Sequence, residues 1–289
     1  MDDTTVLTRP DASTPTPAVF RPDAAQVFDV VAATVVFRVV RGELSIGLPF
    51  APSDGGELVR VVPTAAPDAR EADGGVDTAA RAAAARVVAA REIVRLSNAG
   101  VRAMPAAGDR RARLAVVSWA IARPVLHTAD AVQALEADEA FVPLAALGGL
   151  DAPTRAILSC AFDAFLDATL ADALTRRLLP RHILFRKTDG FTHRSPFETA
   201  LGATTQPSDP EIPIFVGLLP DPFPLSALRE LYERLLDAPL DRGNFRRQFH
   251  EIIAAGPIKA LPIFERGVPH RAGQLFTFDK PAWTKFASS

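Results

Sequence analysis

The chain has 289 residues, and its 32 Lys and Arg side chains nearly balance 34 Asp and Glu, giving a formal net charge of -2. This balance excludes a protein coated in positive charge, so any nucleic-acid-binding surface must be a local patch. The length predicts about two domains.

The single cysteine, Cys160, excludes an intrachain disulfide and a cysteine-based zinc site. This composition fits a reducing cytoplasm. No uninterrupted apolar run approaches the roughly 20 residues that a bilayer-spanning helix needs. We therefore expect a cytoplasmic protein with no membrane partner.

The first part of the chain predicts a disordered lead followed by strands. Residues 1–25 are acidic and rich in Pro and Thr, a composition typical of disorder. From Gln26 the sequence turns apolar, and two β-branched runs flank Arg41-Gly42-Glu43, which predicts a hairpin. A further short strand is predicted over Leu58–Val62.

Two long helices and a strand are predicted next. An alanine-rich run predicts a helix over Asp77–Leu96, with Asp77 or Thr78 as its N-cap. The apolar run Ala112–Ala122 predicts a buried strand. Asp151 and the following Pro153 predict the start of a second helix that continues to about Leu178.

Residues 179–214 predict an irregular linker or insertion. His182 and His193 lie there among several basic residues. Two histidines without a fixed carboxylate favour a basic surface loop over a metal site.

The C-terminal segment predicts two short helices, a tight turn between them and a hairpin. The helices fall within Phe223–Ile252, and the turn residues Gly267, Pro269 and Gly273 separate two apolar runs that follow. Helix, turn, helix and basic hairpin is the element order of a winged helix.

The second of these helices carries side chains that reach phosphates and base edges in a DNA major groove. They are Arg242, Asn244, Arg246, Arg247, Gln248 and His250. Lys259, His270 and Arg271 lie in or near the predicted wing. From Arg242 to Arg271 there are six Lys or Arg and two acidic residues, so the local charge is positive. The alternative for these residues is a solvated helix face. Phe245 and Phe249, four positions apart, are expected to pack in the core rather than stack on bases.

The chain resembles the Nudix-related transcriptional regulators, which are best known as repressors of NAD-biosynthesis genes. The strand order of the first half is similar to a Nudix domain. The more specific similarity lies in the C-terminal segments Phe223–Leu225, Leu228–Glu233 and Leu240–Arg247. The resemblance implies an α/β (α+β) fold, with a Nudix-like mixed sheet sandwiched by helices over residues 26–178. A winged helix-turn-helix domain over residues 215–289 would follow.

The Nudix half departs from the family pattern Arg-Glu-apolar-x-Glu-Glu, whose carboxylates hold a divalent metal. Aligned on Arg86, the three glutamate positions become Val87, Ala90 and Arg91. Aligned on Arg91, Glu92 remains, but Arg95 and Leu96 replace the paired carboxylates. On one continuous helix Asp77 and Glu92 would lie about 22 Å apart and could not share a metal. We therefore expect no metal, no cofactor and no hydrolysis.

The resemblance implies a bacterial DNA-binding regulator, of repressor type, that binds a double-stranded operator as a homodimer. It also implies a sensor for a nucleotide-like small molecule related to ADP-ribose. The basic side chains that could meet its phosphates are Arg102, Arg110, Arg111 and Arg113. Two alternatives stay open: a Nudix-type hydrolase with atypical metal ligands, and a winged-helix module that docks a partner protein.

Overall fold

The structure is a computed structural model that describes residues 29–53, 56–68, 70, 75–104, 111–124, 139–180, 212–265 and 272–287. The predicted disordered lead and residues 181–211 of the predicted linker lie outside these ranges, as do His182 and His193. Within them, no helix is long and apolar enough to cross a membrane.

A six-stranded mixed sheet forms the first layer of the fold. Its strands are β1 (Asp29–Val40), β2 (Glu43–Gly47), β5 (Thr64–Ala65), β6 (Ile93–Met104), β7 (Arg113–Ala122) and β8 (Phe141–Pro143). The strand order is β6-β7-β1-β2-β8, with β5 paired to β1, and only the β1–β7 pair is parallel. A separate hairpin consists of β3 (Phe50–Pro52) and β4 (Leu58–Arg60).

The predicted hairpin around Gly42 is confirmed. Val40 pairs with Glu43, and the two residues between them, Arg41 and Gly42, have φ angles of 50° and 79°. Two successive positive φ angles are typical of a two-residue turn whose twist matches that of the flanking strands.

The long helix predicted over Asp77–Leu96 is wrong. Helix α1 spans only Val76–Ala84, a 3₁₀ turn follows at Ala90–Glu92, and β6 begins at Ile93. Neither Asp77 nor Thr78 is the N-cap, because Gly75 occupies that position in a left-handed conformation without a side-chain cap. A Cβ atom on Gly75 would lie 2.8 Å from the backbone oxygen of Asp68, so this turn requires glycine.

The sheet explains why the alanine-rich helix stops. Val87 and Val88 are buried against the sheet, where Gly47 leaves room for Val87. Ile93 must then pair with Ala122 of β7. Strand pairing and burial outweigh an intrinsic helix preference of less than about 1 kcal/mol per residue.

The second predicted helix is present but divided. Helix α2 (Ala152–Ala171) begins at Asp151, whose carboxylate accepts a 2.7 Å hydrogen bond from the Thr154 amide. It ends before Asp172, which is extended and caps helix α3 (Ala173–Leu178). Asp172 Oδ1 accepts hydrogen bonds from the Leu174 and Thr175 amides, so the side chain that interrupts one helix begins the next.

The C-terminal elements have the predicted winged-helix order. They are α4 (Ile214–Leu218), β9 (Phe223–Pro224), α5 (Leu225–Leu236), α6 (Arg242–Ala255), β10 (Ile258–Phe264), β11 (Gln274–Phe278) and α7 (Lys280–Ala287). The three strands form an antiparallel sheet in the order β10-β11-β9.

Helices cover both faces of the large sheet. Alternate residues of β1 point to opposite faces: Val35 and Phe37 enter the core under α2, whereas Val36 packs with residues from α1 and the segment after it. The α2-side core is continuous with the interior of the winged helix, because both belong to one buried cluster. The predicted mixed sheet sandwiched by helices is confirmed.

Phe165 lies at the centre of this core and is fully buried. Its ring stacks on Phe37 with centroids 4.3 Å apart and meets the Trp119 ring edge-on at 5.5 Å. Phe162, one turn earlier, is only half-buried.

We predict that Phe165→Ala lowers the free energy of unfolding by about 3–5 kcal/mol, because it leaves a cavity among three aromatic rings. Phe162→Ala is the matched control and should cost clearly less. Urea unfolding followed by tryptophan fluorescence measures both variants. Equal losses would contradict the central position of Phe165.

Candidate nucleic-acid interface

Helix α5 provides the support on which α6 packs. Its buried face contains Leu228, Leu231, Tyr232, Leu235 and Leu236. The helix ends at Asp237, whose φ of 49° turns the chain toward α6.

The turn between α5 and α6 is held by one carboxylate. Glu233 Oε1 accepts a 2.9 Å hydrogen bond from the Leu240 amide and a 2.6 Å hydrogen bond from Arg229 Nη1. Leu240, two residues before the start of α6, is thus tied to helix α5.

Helix α6 has a capped start and one apolar face. Asp241 Oδ1 accepts a 2.8 Å hydrogen bond from the Asn244 amide, and Gly256 ends the helix with a φ of 103°. Phe245, Phe249 and Ile252 are buried, at spacings that place them on one side of a helix. The prediction that both phenylalanines are core residues is confirmed.

The opposite side of α6 is exposed and basic. Five of its predicted DNA-binding residues are exposed: Arg242, Asn244, Arg246, Arg247 and His250. Arg246 Nε lies 3.5 Å from His250 Nε2, one helical turn away. We call these five residues the α6 basic face.

Gln248 differs from the other predicted contacts on this helix. It is half-buried, and its Oε1 is enclosed without a hydrogen-bond partner among the described residues. One end of the Gln248 amide therefore faces the protein rather than the α6 basic face.

Lys259, the one predicted wing contact within the described residues, is paired with a carboxylate. Lys259 forms an ion pair with Asp279, and this hydrogen bond is the largest cause that lowers the pKa of the Asp279 carboxyl. Asp279 also caps α7 by accepting from the Ala282 amide. A DNA phosphate at Lys259 would have to compete with the Asp279 carboxylate. The other predicted wing contacts, His270 and Arg271, lie outside the described residues.

Apolar side chains are exposed at the end of β10. Ile263 is 46% and Phe264 55% exposed. The sequence analysis predicted only charged contacts in the wing and did not predict these exposed apolar side chains. The run Leu261–Phe264, which lies on an edge strand, was the sequence feature that indicated them.

Three of the four predicted ligand-binding arginines, Arg102, Arg111 and Arg113, lie near the C-terminal end of β6 and the N-terminal start of β7. Arg102 and Arg113 lie on the same face of the sheet, since Arg102 pairs with Ala115 and Arg113 with Met104. Arg102 Nη1 donates a hydrogen bond to the Val101 carbonyl. Burial raises the pKa of the Asp163 carboxyl, and the positive charge of Arg102 partly offsets this rise. Arg111 is exposed, and Arg110 lies outside the described residues.

The residues compared with the Nudix metal site are not arranged as expected. Arg86 and Arg91 both lie beyond the end of α1, and Asp77 and Glu92 are not on one helix, so the 22 Å estimate does not apply. Glu92 instead forms a 3.0 Å ion pair with the buried Arg38. Within the described ranges, no three His, Cys, Asp or Glu side chains converge as metal ligands would.

Comparisons with known proteins bear on both halves of the chain. Residues 215–278 match the family model of the NrtR DNA-binding winged helix domain. The crystal structure of Shewanella oneidensis NrtR complexed with a 27mer DNA is 14% identical, with a TM-score of 0.56 over 88% of this chain and 94% of that chain. Shewanella oneidensis NrtR alone is 15% identical, with a TM-score of 0.53 over 88% and 95%.

A MutT/nudix family protein from Enterococcus faecalis is 10% identical, with a TM-score of 0.44 over 88% of this chain and 89% of that chain. No curated protein shows significant sequence similarity to the chain. The C-terminal part of the chain thus matches the NrtR winged helix domain, and the fold is similar to that of NrtR over 88% of the chain. The predicted resemblance to the Nudix-related regulators is confirmed.

We predict that Asp241→Ala lowers the free energy of unfolding by about 1 kcal/mol, because it removes the N-cap of α6. Asp151→Ala is the matched control, since it removes the same type of cap from α2. Hydrogen exchange should accelerate at the first α6 amides only in Asp241→Ala. Unchanged exchange at Asn244 would contradict the observed cap.

Proposed function

We propose that this chain, which carries an NrtR-type winged helix on an NrtR-like fold, is a DNA-binding transcription regulator. The observation that carries the proposal is the α6 basic face, which the buried Phe245 and Phe249 hold outward on the second helix of the winged helix.

The chemistry of the α6 basic face suits a major groove. An arginine can donate two hydrogen bonds to guanine or bind a phosphate, and an asparagine can read adenine. Arg246 and Arg247 are adjacent and both exposed, and Asn244 lies on the turn before them. Because the whole chain has a net charge of -2, affinity for DNA must come from this local surface.

The partner that fits this surface is a double-stranded operator. A single α6 reads few base pairs, so we propose that a homodimer presents two such helices to two half-sites. The crystal structure of Shewanella oneidensis NrtR with a 27mer DNA supports DNA as the partner class.

The Nudix-like domain is proposed to sense a nucleotide-like small molecule without hydrolysing it. Arg81 is the only arginine within α1, and the family pattern aligned on Arg81 places Ala82, Ala85 and Arg86 at the three glutamate positions. Asp77 is the only acidic residue of α1. Alanine side chains offer no oxygen ligand for a hard divalent cation.

We predict that Arg246→Ala with Arg247→Ala weakens binding to the gene's own upstream DNA at least about tenfold. If both contact phosphates, the slope of log affinity against log salt also falls by about two. Fluorescence anisotropy of a labelled fragment at several salt concentrations measures both quantities.

The control for this experiment is Arg81→Ala with Arg86→Ala. Both side chains are exposed on or just after α1, and their removal changes the net charge by the same amount. This variant should bind like the wild type. Equal loss in both double variants would show that only net charge matters and would contradict specific docking through α6.

We predict no divalent-metal-dependent cleavage of ADP-ribose by the purified protein. The assay measures AMP release with Mg²⁺ or Mn²⁺, beside an EDTA blank and an active Nudix hydrolase. Release that EDTA abolishes would contradict the non-hydrolytic assignment and favour a hydrolase with atypical ligands.

A further inference from the structure

Strand β10 has a bulge near the end of the wing. Ala260 pairs with Phe276 and Phe264 pairs with Gln274, so β10 advances by four residues where β11 advances by two. Residues 261–263 therefore stand opposite a single position of β11, and two of them are additional to the regular ladder. Bulges of this kind re-aim side chains that a regular strand would hold in the sheet.

The bulge leaves a run of apolar side chains exposed to solvent. Pro262 is exposed, and Ile263 and Phe264 are 46% and 55% exposed. The Leu261 carbonyl accepts a 3.0 Å hydrogen bond from Gln274 Nε2, and this bond holds the bulge to β11. We call Pro262, Ile263 and Phe264 the apolar wing patch.

The strand register places Phe264 on the face of the wing sheet that α6 covers. Phe264 lies opposite Gln274, and opposite residues of an antiparallel pair point to the same face. Phe276 is two residues from Gln274 and shares this face, and its ring meets the Phe249 ring of α6 edge-on with centroids 4.8 Å apart. Phe264 thus lies about 7 Å further along the strands than this contact with α6.

The charge around the apolar wing patch suits a polyanion. The Glu265 amide donates to the Gly273 carbonyl, and the Gly273 amide donates to Glu265 Oε2, both at 2.9 Å. The carboxylate of Glu265, the only acidic residue between Ile258 and Phe278, is therefore bonded to the backbone. In the sequence, residues 266–272 carry two arginines and one histidine and no acidic side chain. Such a balance attracts DNA phosphates.

The apolar wing patch is too small for a stable interface between proteins. Ile263 and Phe264 together expose about 200 Å² of apolar surface, whereas such an interface buries roughly 800 Å² on each partner. A patch of this size suits a partner that accepts one or two side chains in a narrow gap. Proteins that kink DNA insert Phe, Leu, Ile, Met or Pro between base steps from the minor groove, and all three residues of the patch are of these types.

We propose that the apolar wing patch enters the DNA minor groove next to the major groove that α6 occupies, where Phe264 and Ile263 wedge between two base pairs and kink the duplex. This inference rests on the proposed function, because α6 must first seat the duplex. Pyrimidine–purine steps unstack most easily. The wedge therefore gives the protein a sequence preference at base pairs that no polar side chain contacts.

Gel shifts of circularly permuted fragments of the gene's own upstream DNA measure the bend, and permanganate oxidation detects unstacked thymines. The flexible steps TA and CA/TG each contain a thymine. The wild type should bend the DNA by at least about 20° and make a thymine reactive. Ile263→Ala with Phe264→Ala should lose this reactivity, bend the DNA by less than about half as much and bind at least about tenfold more weakly.

Phe50→Ala with Leu58→Ala is the matched control. These residues are 53% and 65% exposed and lie on the separate β3–β4 hairpin, so the control removes a similar amount of exposed apolar surface. This variant should bind and bend DNA like the wild type. Phe264→Leu, which keeps an apolar wedge, should retain at least about half of the bend.

Salt and sequence dependence distinguish the wedge from the α6 basic face. Ile263→Ala with Phe264→Ala removes no charge, so the slope of log affinity against log salt should match that of the wild type. Arg246→Ala with Arg247→Ala should lower that slope. Replacing the permanganate-reactive step by a stiff A-tract should weaken the wild type at least about fivefold and the Ile263 and Phe264 double variant less than about twofold.

Sequence-preferring binding by the wild type without a bend or a reactive thymine would overturn the wedge and leave the proposed regulator intact. Equal bending by the wild type and the Ile263 and Phe264 double variant, or an equal loss in the Phe50 and Leu58 control, would also overturn it. Absence of any DNA binding by the wild type would refute the regulator, and the wedge with it.

Analytical ultracentrifugation of the free protein tests the competing occupant, a second copy of the chain. The Ile263 and Phe264 double variant should have the same mass in solution as the wild type. A lower mass would show that the apolar wing patch packs against a second copy and would overturn its assignment to DNA.

Discussion

The rest of the structure depends on one apolar core that continues from the large sheet into the winged helix. Phe37 on β1 and Phe165 on α2 belong to the same buried cluster as Phe223 and Phe249 of the winged helix. A core packed at the density of an organic crystal transmits displacement rather than absorbing it. The orientation of α6 thus depends on the packing of α2, α3 and α4 on the sheet.

Polar groups at two places make this arrangement specific. Glu233 ties the start of α6 to α5, and the 2.7 Å hydrogen bond between Tyr232 Oη and Thr175 Oγ1 ties α5 to α3. Buried hydrogen-bonded groups tolerate little displacement, because an unpaired partner costs about 1–3 kcal/mol. Apolar packing therefore supplies the contact between the two parts of the chain, and these hydrogen bonds fix its geometry.

Elements could be predicted from the sequence where local signals, such as helical spacing and capping residues, agree with the fold. They could not be predicted where contacts between residues distant in the sequence determine the local structure. Helices α5 and α6 were predictable because their apolar residues recur at helical spacing, and in α6 a capping aspartate and a closing glycine agree with that spacing. The helix over Asp77–Leu96 was wrong because burial of Val87 and Val88 and pairing of β6 outweigh alanine propensity. The hydrogen bond between Thr175 and Tyr232 had no sequence signal, since these residues, 57 positions apart, meet only after the fold forms.

The central claim is that α6 reads DNA in a defined register. Hydroxyl-radical footprinting of the gene's own upstream DNA tests it most directly, with the Arg246→Ala and Arg247→Ala double variant alongside. The account predicts wild-type protection of two half-sites about 10–10.5 base pairs apart, or a multiple of that spacing, on one side of the duplex. It also predicts that the double variant loses this protection. Uniform protection of any sequence, or none at low salt, would contradict it.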